Sequence, residues 1–188
     1  MDAFLLSFAV IFVAELGDKS QLMAMAFATR YRAWTVLAAV TIATLLVHAG
    51  SVLIGATFAL ALPTAAIQVA AGIAFFVFAF WTLRGDELGE DDEGRAQRTG
   101  RWALLTIGSA FFLAELGDKT MLATITLATT HGLFGTWLGS TLGMVAADAL
   151  AILVGQQLGA RLPERTIRIG AAVLFLVFGL GLIIEGVR

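Results

Sequence analysis

Phe12-Val13-Ala14-Glu15-Leu16-Gly17-Asp18-Lys19-Ser20 sets three ionisable residues inside a run otherwise apolar enough to cross a bilayer. One hundred residues later the chain reads Phe112-Leu113-Ala114-Glu115-Leu116-Gly117-Asp118-Lys119-Thr120, so each acid, glycine and lysine of the first copy has a counterpart in the second. A segment of this kind belongs in a membrane, and its recurrence points to a duplicated architecture.

Composition agrees. Hydrophobic residues make up 59% of the 188 and charged residues 14%, with a mean hydropathy of +0.90, outside the range of soluble domains. A net charge of −2 offers no basic footprint for nucleic acid, and the absence of cysteine excludes disulfides and thiolate metal sites. The N-terminus has no basic stretch and Glu15 interrupts the apolar run, which predicts a retained span instead of a cleaved signal peptide.

A bilayer core of about 30 Å needs roughly 20 apolar residues per helix. Six segments meet that length: approximately 3–28, 34–58, 65–83, 102–128, 133–158 and 167–186. The short alternating segments of a membrane β-barrel are missing, so the expected fold is an all-α integral membrane protein. Arg84 to Arg101, with six acidic residues and four arginines, reads as a solvated charged linker. It separates a first three-helix repeat, residues 1–83, from a second, 102–188. Subtracting 100 aligns the halves without a gap: Leu62-Pro63 with Leu162-Pro163, Gly55 with Gly155, Phe75 and Phe78 with Phe175 and Phe178.

Three spans per repeat send the second copy into the membrane from the opposite side, so the six helices form two inverted repeats. Nine arginines, from Arg30 to Arg168, fall in loops on one side and only Arg188 on the other. The positive-inside rule makes the arginine-rich side cytoplasmic and puts both termini outside. Inverted repeats of this kind are the framework of secondary transporters, with the substrate site at the midplane between them.

Glu15 lies about 12 residues into the first span and Glu115 about 13 into the fourth, which puts both near mid-membrane. Carboxylates at that depth face a cavity or a partner and mark ion or proton pathways. Glu15 and Asp18 are i and i+3 and so share one helix face, as do Glu115 and Asp118, and two spans thus present four carboxylates to one point. Gly17 and Gly117 allow close backbone approach or a break that frees carbonyl oxygens, and Ser20 and Thr120 add hydroxyls. Lys19 and Lys119 read as counter-charge to the carboxylates. The inert alternative, Glu15 paired with Lys19 and Glu115 with Lys119 along one helix, leaves both aspartates unexplained.

Oxygen ligands select hard divalent cations, Ca²⁺, Mn²⁺ or Mg²⁺. Four carboxylates and two ammonium groups sum to −2, which one such cation or two protons neutralise equally. An uncompensated buried charge is costly, so the empty, fully ionised site resists crossing the membrane, as obligatory exchange requires. His48 and Asp148 occupy equivalent places in the second and fifth spans. His48 is either a proton relay or a neutral hydrogen-bonded histidine, and Asp148 an additional ligand or a supporting acceptor. Small residues at every fourth position of the fifth span, Gly135, Gly139, Gly143, Ala147, Ala151, Gly155 and Gly159, suit close helix packing. Met121 reads as filling, or as a thioether that prefers Mn²⁺ to Ca²⁺.

The duplicated Glu-x-Gly-Asp-Lys-(Ser/Thr) motif on two three-helix repeats resembles the Gdt family, which includes Golgi calcium/manganese transporters and bacterial manganese exporters. The resemblance covers nearly the whole chain. It implies a transporter and not an enzyme, moving Mn²⁺ or Ca²⁺ outward as protons enter, with Glu15, Asp18, Glu115 and Asp118 as the metal-binding acids and no resident cofactor. Gln21 after the first motif becomes Met121 after the second, a departure that bears on metal preference. The short linker resembles the bacterial members and implies the inner membrane of a bacterium. Two other classes stay in view. A small organic solute exporter predicts apolar recognition groups at midplane, and an intramembrane aspartyl protease predicts Gly-x-Gly-Asp, where this chain has Glu in place of the first Gly. The sequence leaves open whether the chain works alone or as a homodimer, and whether H⁺ or Na⁺ is the coupling ion.

Overall fold

In hydrocarbon every backbone N–H and C=O must find a partner within the protein, and apolar segments solve this by coiling into helices. The computed structural model describes residues 2–84, 94–95, 102–158 and 164–188, and among these the regular structure is entirely α-helical. The eight helices are α1 Ala3–Glu15, α2 Lys19–Ala28, α3 Ala33–Ala61, α4 Thr64–Arg84, α5 Ala103–Glu115, α6 Lys119–His131, α7 Leu133–Leu158 and α8 Glu164–Val187. Most of the charged linker, together with the loop carrying Arg161 and Leu162-Pro163, lies outside the described residues.

Among the described residues, four stretches are long and apolar enough to cross a membrane: Ala33–Ala61, Thr64–Arg84, Leu133–Leu153 and Arg168–Val187. The segments expected as continuous spans over 3–28 and 102–128 are instead broken at the motifs. α1 and α5 each hold 13 residues, about 20 Å of helix against a core of about 30 Å, and each passes through a three-residue turn into a second short helix. Hydropathy is blind to this break because both halves are apolar.

Large apolar side chains cover the outside. Along α3, Ile42, Leu46, Leu53 and Leu60 are exposed while Val36, Val40, Val47 and Val52 are buried, so the helix shows one face to lipid and one to protein. The interior interlocks the two halves. Leu6, Val10 and Phe75 share one core cluster with Leu127 and Phe175, and Met23, Phe27 and Val40 share another with Ile107 and Phe111. Among the described residues, each of these clusters draws on both halves.

The contacts between halves are reciprocal. α1 packs on α7, and their counterparts α5 and α3 pack on each other. Phe75 meets Phe178 with ring centroids 6.1 Å apart, and Phe78 meets Phe175 at 6.2 Å. Equivalent residues touch directly where the halves meet: Phe75 and Phe175 at 5.8 Å, and Thr44, whose hydroxyl donates to Met144 Sδ at 3.4 Å. Two copies that exchange identical surfaces make this pattern. Of the expected small-residue stripe, Gly135, Gly139 and Gly143 lie against α1, where a Cβ at Gly143 would stand 2.6 Å from the Phe8 carbonyl oxygen and 3.0 Å from the Phe12 nitrogen, while Gly159 lies outside the described residues. Such separations leave room only for glycine.

Candidate cation site

Each motif builds one helix break in the same way. Glu15 is the last helical residue of α1, Leu16 is extended, Gly17 turns left-handed at φ 77°, and Asp18 is the extended residue that opens α2. Glu115, Leu116, Gly117 at φ 79° and Asp118 repeat the sequence of conformations between α5 and α6. A positive φ of this size is strained for any residue with a Cβ, which accounts for glycine at both places. The breaks leave the last carbonyls of α1 and α5 and the first amides of α2 and α6 without their usual intrahelical partners.

The break corrects two expectations. Glu15 and Asp18 do not share a helix face, and Glu115 and Asp118 do not either, because the left-handed glycine lies between them. For the same reason the pairing of Glu15 with Lys19 along one helix has no geometric basis. The lysines instead cross to the other half. Lys119 Nζ donates to Asp18 Oδ1 at 2.5 Å, and Lys19 Nζ lies 3.1 Å from Asp118 Oδ1. Asp18 and Asp118 stand at N-cap positions yet make no side-chain cap bond, so a residue type suited to capping is committed to the cross-repeat pair.

All four motif acids are buried, and they lie near enough to act on one another electrostatically. Asp18, Glu115, Asp148 and Lys119 all act electrostatically on Glu15, and Asp118, Asp18 and Asp148 on Glu115. Glu115 Oε2 accepts a hydrogen bond from the Thr120 hydroxyl at 2.9 Å. Neither oxygen of Glu15 has a hydrogen-bond partner among the described residues, nor does Ser20 Oγ. The fifth and sixth polar residues are also in place. His48 on α3 is buried with Nδ1 3.4 Å from the Thr141 hydroxyl, and Asp148 on α7 is buried with both oxygens unpartnered among the described residues. Among those residues no three His, Asp or Glu side chains are drawn to metal-ligating distance, so the acids share a region without closing into a cage.

The residues after the motifs brace the turns. Gln21 Oε1 accepts the Gly17 N–H at 2.8 Å while its Nε2 donates to the Ala147 carbonyl on α7 at 2.7 Å. Met121 offers only its Sδ, 3.2 Å from the Gly117 nitrogen that donates to it. Sequence reasoning gave no role to Thr44 and Thr141, which join α3 to α7 across the halves. Their signal was a set of hydroxyls, Thr44, Ser51, Thr136, Ser140 and Thr141, recurring inside apolar spans and all buried.

Long apolar helices, two of the six segments broken near their middle, and a buried charged centre at the breaks define a membrane transport protein. The chain belongs to the GDT1 family of divalent cation/proton antiporters, whose sequence model matches twice, over residues 3–90 and 103–188. It is 33% identical over 183 residues to a Vibrio cholerae protein named "Putative manganese exporter", covering 96% of this chain and 90% of the relative. It is 31% identical over 205 residues to a GDT1-like protein of Synechocystis, covering 95% of each chain. A chloroplastic GDT1-like protein of rice is 32% identical over 204 residues, with 59% of its length covered. No solved structure matches the chain.

Proposed function

We propose that this chain exports Mn²⁺ from the cytoplasm across a bacterial inner membrane in exchange for protons, with Ca²⁺ the alternative cargo, through a midplane site built on Glu15, Asp18, Glu115 and Asp118. The observation that carries this reading is the crossed pairing. Each lysine neutralises an aspartate of the opposite half, which leaves the two glutamates as the net negative charge of the paired motifs, and Glu15 has no hydrogen-bond partner among the described residues. A divalent cation or two protons would balance that charge, whereas the fully ionised empty centre would carry it uncompensated through a low-dielectric interior. Exchange follows from that difference.

The reciprocal contacts between halves, together with the arginine distribution, support six spans in two inverted repeats, with both termini on the non-cytoplasmic side. Manganese is favoured by the name of the Vibrio relative. The thioether of Met121 lends it no support, because that sulfur is engaged by the Gly117 amide.

Purified protein in liposomes with an internal pH reporter tests the reading, with Mn²⁺, Ca²⁺ and Mg²⁺ supplied in turn. Mn²⁺ should drive proton movement that is lost in Glu15→Gln. Metal uptake with no proton movement would remove the coupling, and folded protein that moves no cation would remove the function.

A further inference from the structure

We propose that Asp148 is a further ligand of the transported cation and that Gln21 holds it in place. The inference rests on the cation-exchange reading above and adds a residue outside the duplicated motif. Asp148 is fully buried, neither of its oxygens has a hydrogen-bond partner among the described residues, and it acts electrostatically on Glu15, Glu115 and Asp18. A buried acid serving only packing satisfies its oxygens with hydroxyls or amides. Asp148 has none among the described residues.

The position of Asp148 is set by the neighbouring residue. Ala147, one residue earlier on α7, gives its carbonyl oxygen to Gln21 Nε2 at 2.7 Å, while Gln21 Oε1 takes the Gly17 amide at 2.8 Å. A single buried side chain therefore ties the first motif turn to the turn of α7 that carries Asp148. The other half has neither part of this device. Met121 stands where Gln21 does and has no donor, and His48 stands where Asp148 does, with Nδ1 beside the Thr141 hydroxyl. Acid and brace occur together on one side of the centre.

Coordination chemistry explains the need. Hard divalent cations take six or more oxygens, and both motif aspartates already hold lysines. The glutamates alone supply few oxygens, and a third carboxylate extends the set. Counting Asp148, five carboxylates and two ammonium groups sum to −3. One proton then stays in the cation-bound centre and three fill the proton-bound one, so the exchange of two protons per cation is unchanged.

The test uses the full chain, purified and in liposomes, as wild type and as Glu15→Gln, Asp148→Asn, Asp148→Glu and Gln21→Met. Equilibrium Mn²⁺ binding and the KM and kcat of exchange are measured for each. Asp148→Asn should weaken Mn²⁺ binding by about tenfold or more and raise KM to match, because cation affinity follows the number of charged ligands. Asp148→Glu should recover much of that loss while changing the ratio of Mn²⁺ to Ca²⁺ affinity. Gln21→Met should raise KM by about tenfold with kcat little changed, the size expected of a residue that orients a ligand. Wild-type binding and KM in Asp148→Asn, beside an inactive Glu15→Gln, would overturn this inference and leave the exchange reading standing. Wild-type protein that neither binds nor moves a cation would overturn the exchange reading itself. Should Asp148→Asn fail to fold, unchanged affinity and selectivity in Asp148→Glu would overturn the proposal.

Discussion

The first motif and the second share Glu-Leu-Gly-Asp-Lys and the same backbone turn, yet their surroundings differ at every side chain that could brace them. Thr120 donates to Glu115, while neither Ser20 Oγ nor the Glu15 carboxylate has a hydrogen-bond partner among the described residues. Gln21 fastens the first turn to α7, while Met121 holds the second by its own amide alone. Lys119 and Asp18 are almost wholly enclosed, at 4% and 0% side-chain exposure, whereas Lys19 keeps 18%. Duplication has supplied the chemistry twice, and the residues flanking each motif have made the two copies unequal. Exchange that alternates between inverted repeats would make the copies trade conformations, but an amide and a thioether cannot trade roles, so part of the inequality persists through any such cycle.

The crossed ion pairs should show the inequality most strongly. Lys119→Met removes the ammonium 2.5 Å from Asp18 Oδ1 in a pair that is almost wholly enclosed. Breaking one partner of a buried pair costs about 3–5 kcal/mol. Lys19→Met also leaves a buried acid, Asp118, but the ammonium it removes is partly exposed at 18% and water can reach that side of the pair, so the cost should be smaller. Thermal unfolding in detergent measures both, and Lys119→Met with Asp18→Asn should recover most of the loss because the buried carboxylate is neutralised together with its partner. Equal losses at Lys19 and Lys119 would show that the two pairs are equivalent and that the exposure difference carries no energy.

The glycines should sharpen the comparison from the other direction, since here the copies are alike. Gly17 and Gly117 sit at φ 77° and 79°, and a Cβ at Gly117 would meet nothing within 4 Å. The cost of Gly117→Ala is then conformational alone, about 1–2 kcal/mol, and Gly17→Ala should lose a similar amount. Gly143→Ala provides the contrast: its backbone is unstrained, and its Cβ would strike the Phe8 carbonyl. A Gly117→Ala protein that melts with the wild type would mean that the turn relaxes out of the left-handed region.

Much of this was legible in the sequence. Composition and span length gave the all-helical membrane fold, the 100-residue offset gave two matched halves, and acids in apolar runs gave the buried centre. The break was legible too, but under a different rule from the one hydropathy follows. Asp18 followed by Lys19, and Asp118 followed by Lys119, are N-cap and first-turn residues directly after a glycine, and that order signals a helix start even where apolarity continues on both sides. The crossing of the lysines was not legible, because an i to i+4 spacing has meaning only on an unbroken helix. Nor was the role of Gln21, whose partners Gly17 and Ala147 are brought together by tertiary packing and not by local pattern.

The hydroxyls that close each motif should give the smallest effect and the finest test. Thr120 Oγ1 lies 2.9 Å from Glu115 Oε2, so Thr120→Val leaves that carboxylate oxygen without its donor at nearly constant volume. A hydrogen bond to a carboxyl group is worth about 1.5–3 kcal/mol when the group is charged and about 1 kcal/mol when it is neutral. Part of that loss should fall on cation binding, with KM for Mn²⁺ rising about fivefold, and Thr120→Ser should restore it. Ser20 has no such bond to lose, and Ser20→Ala should leave KM within about twofold of wild type. Should Ser20→Ala match Thr120→Val, Ser20 must reach Glu15 in another state of the cycle, and the two motifs would then be unequal only in the conformation described.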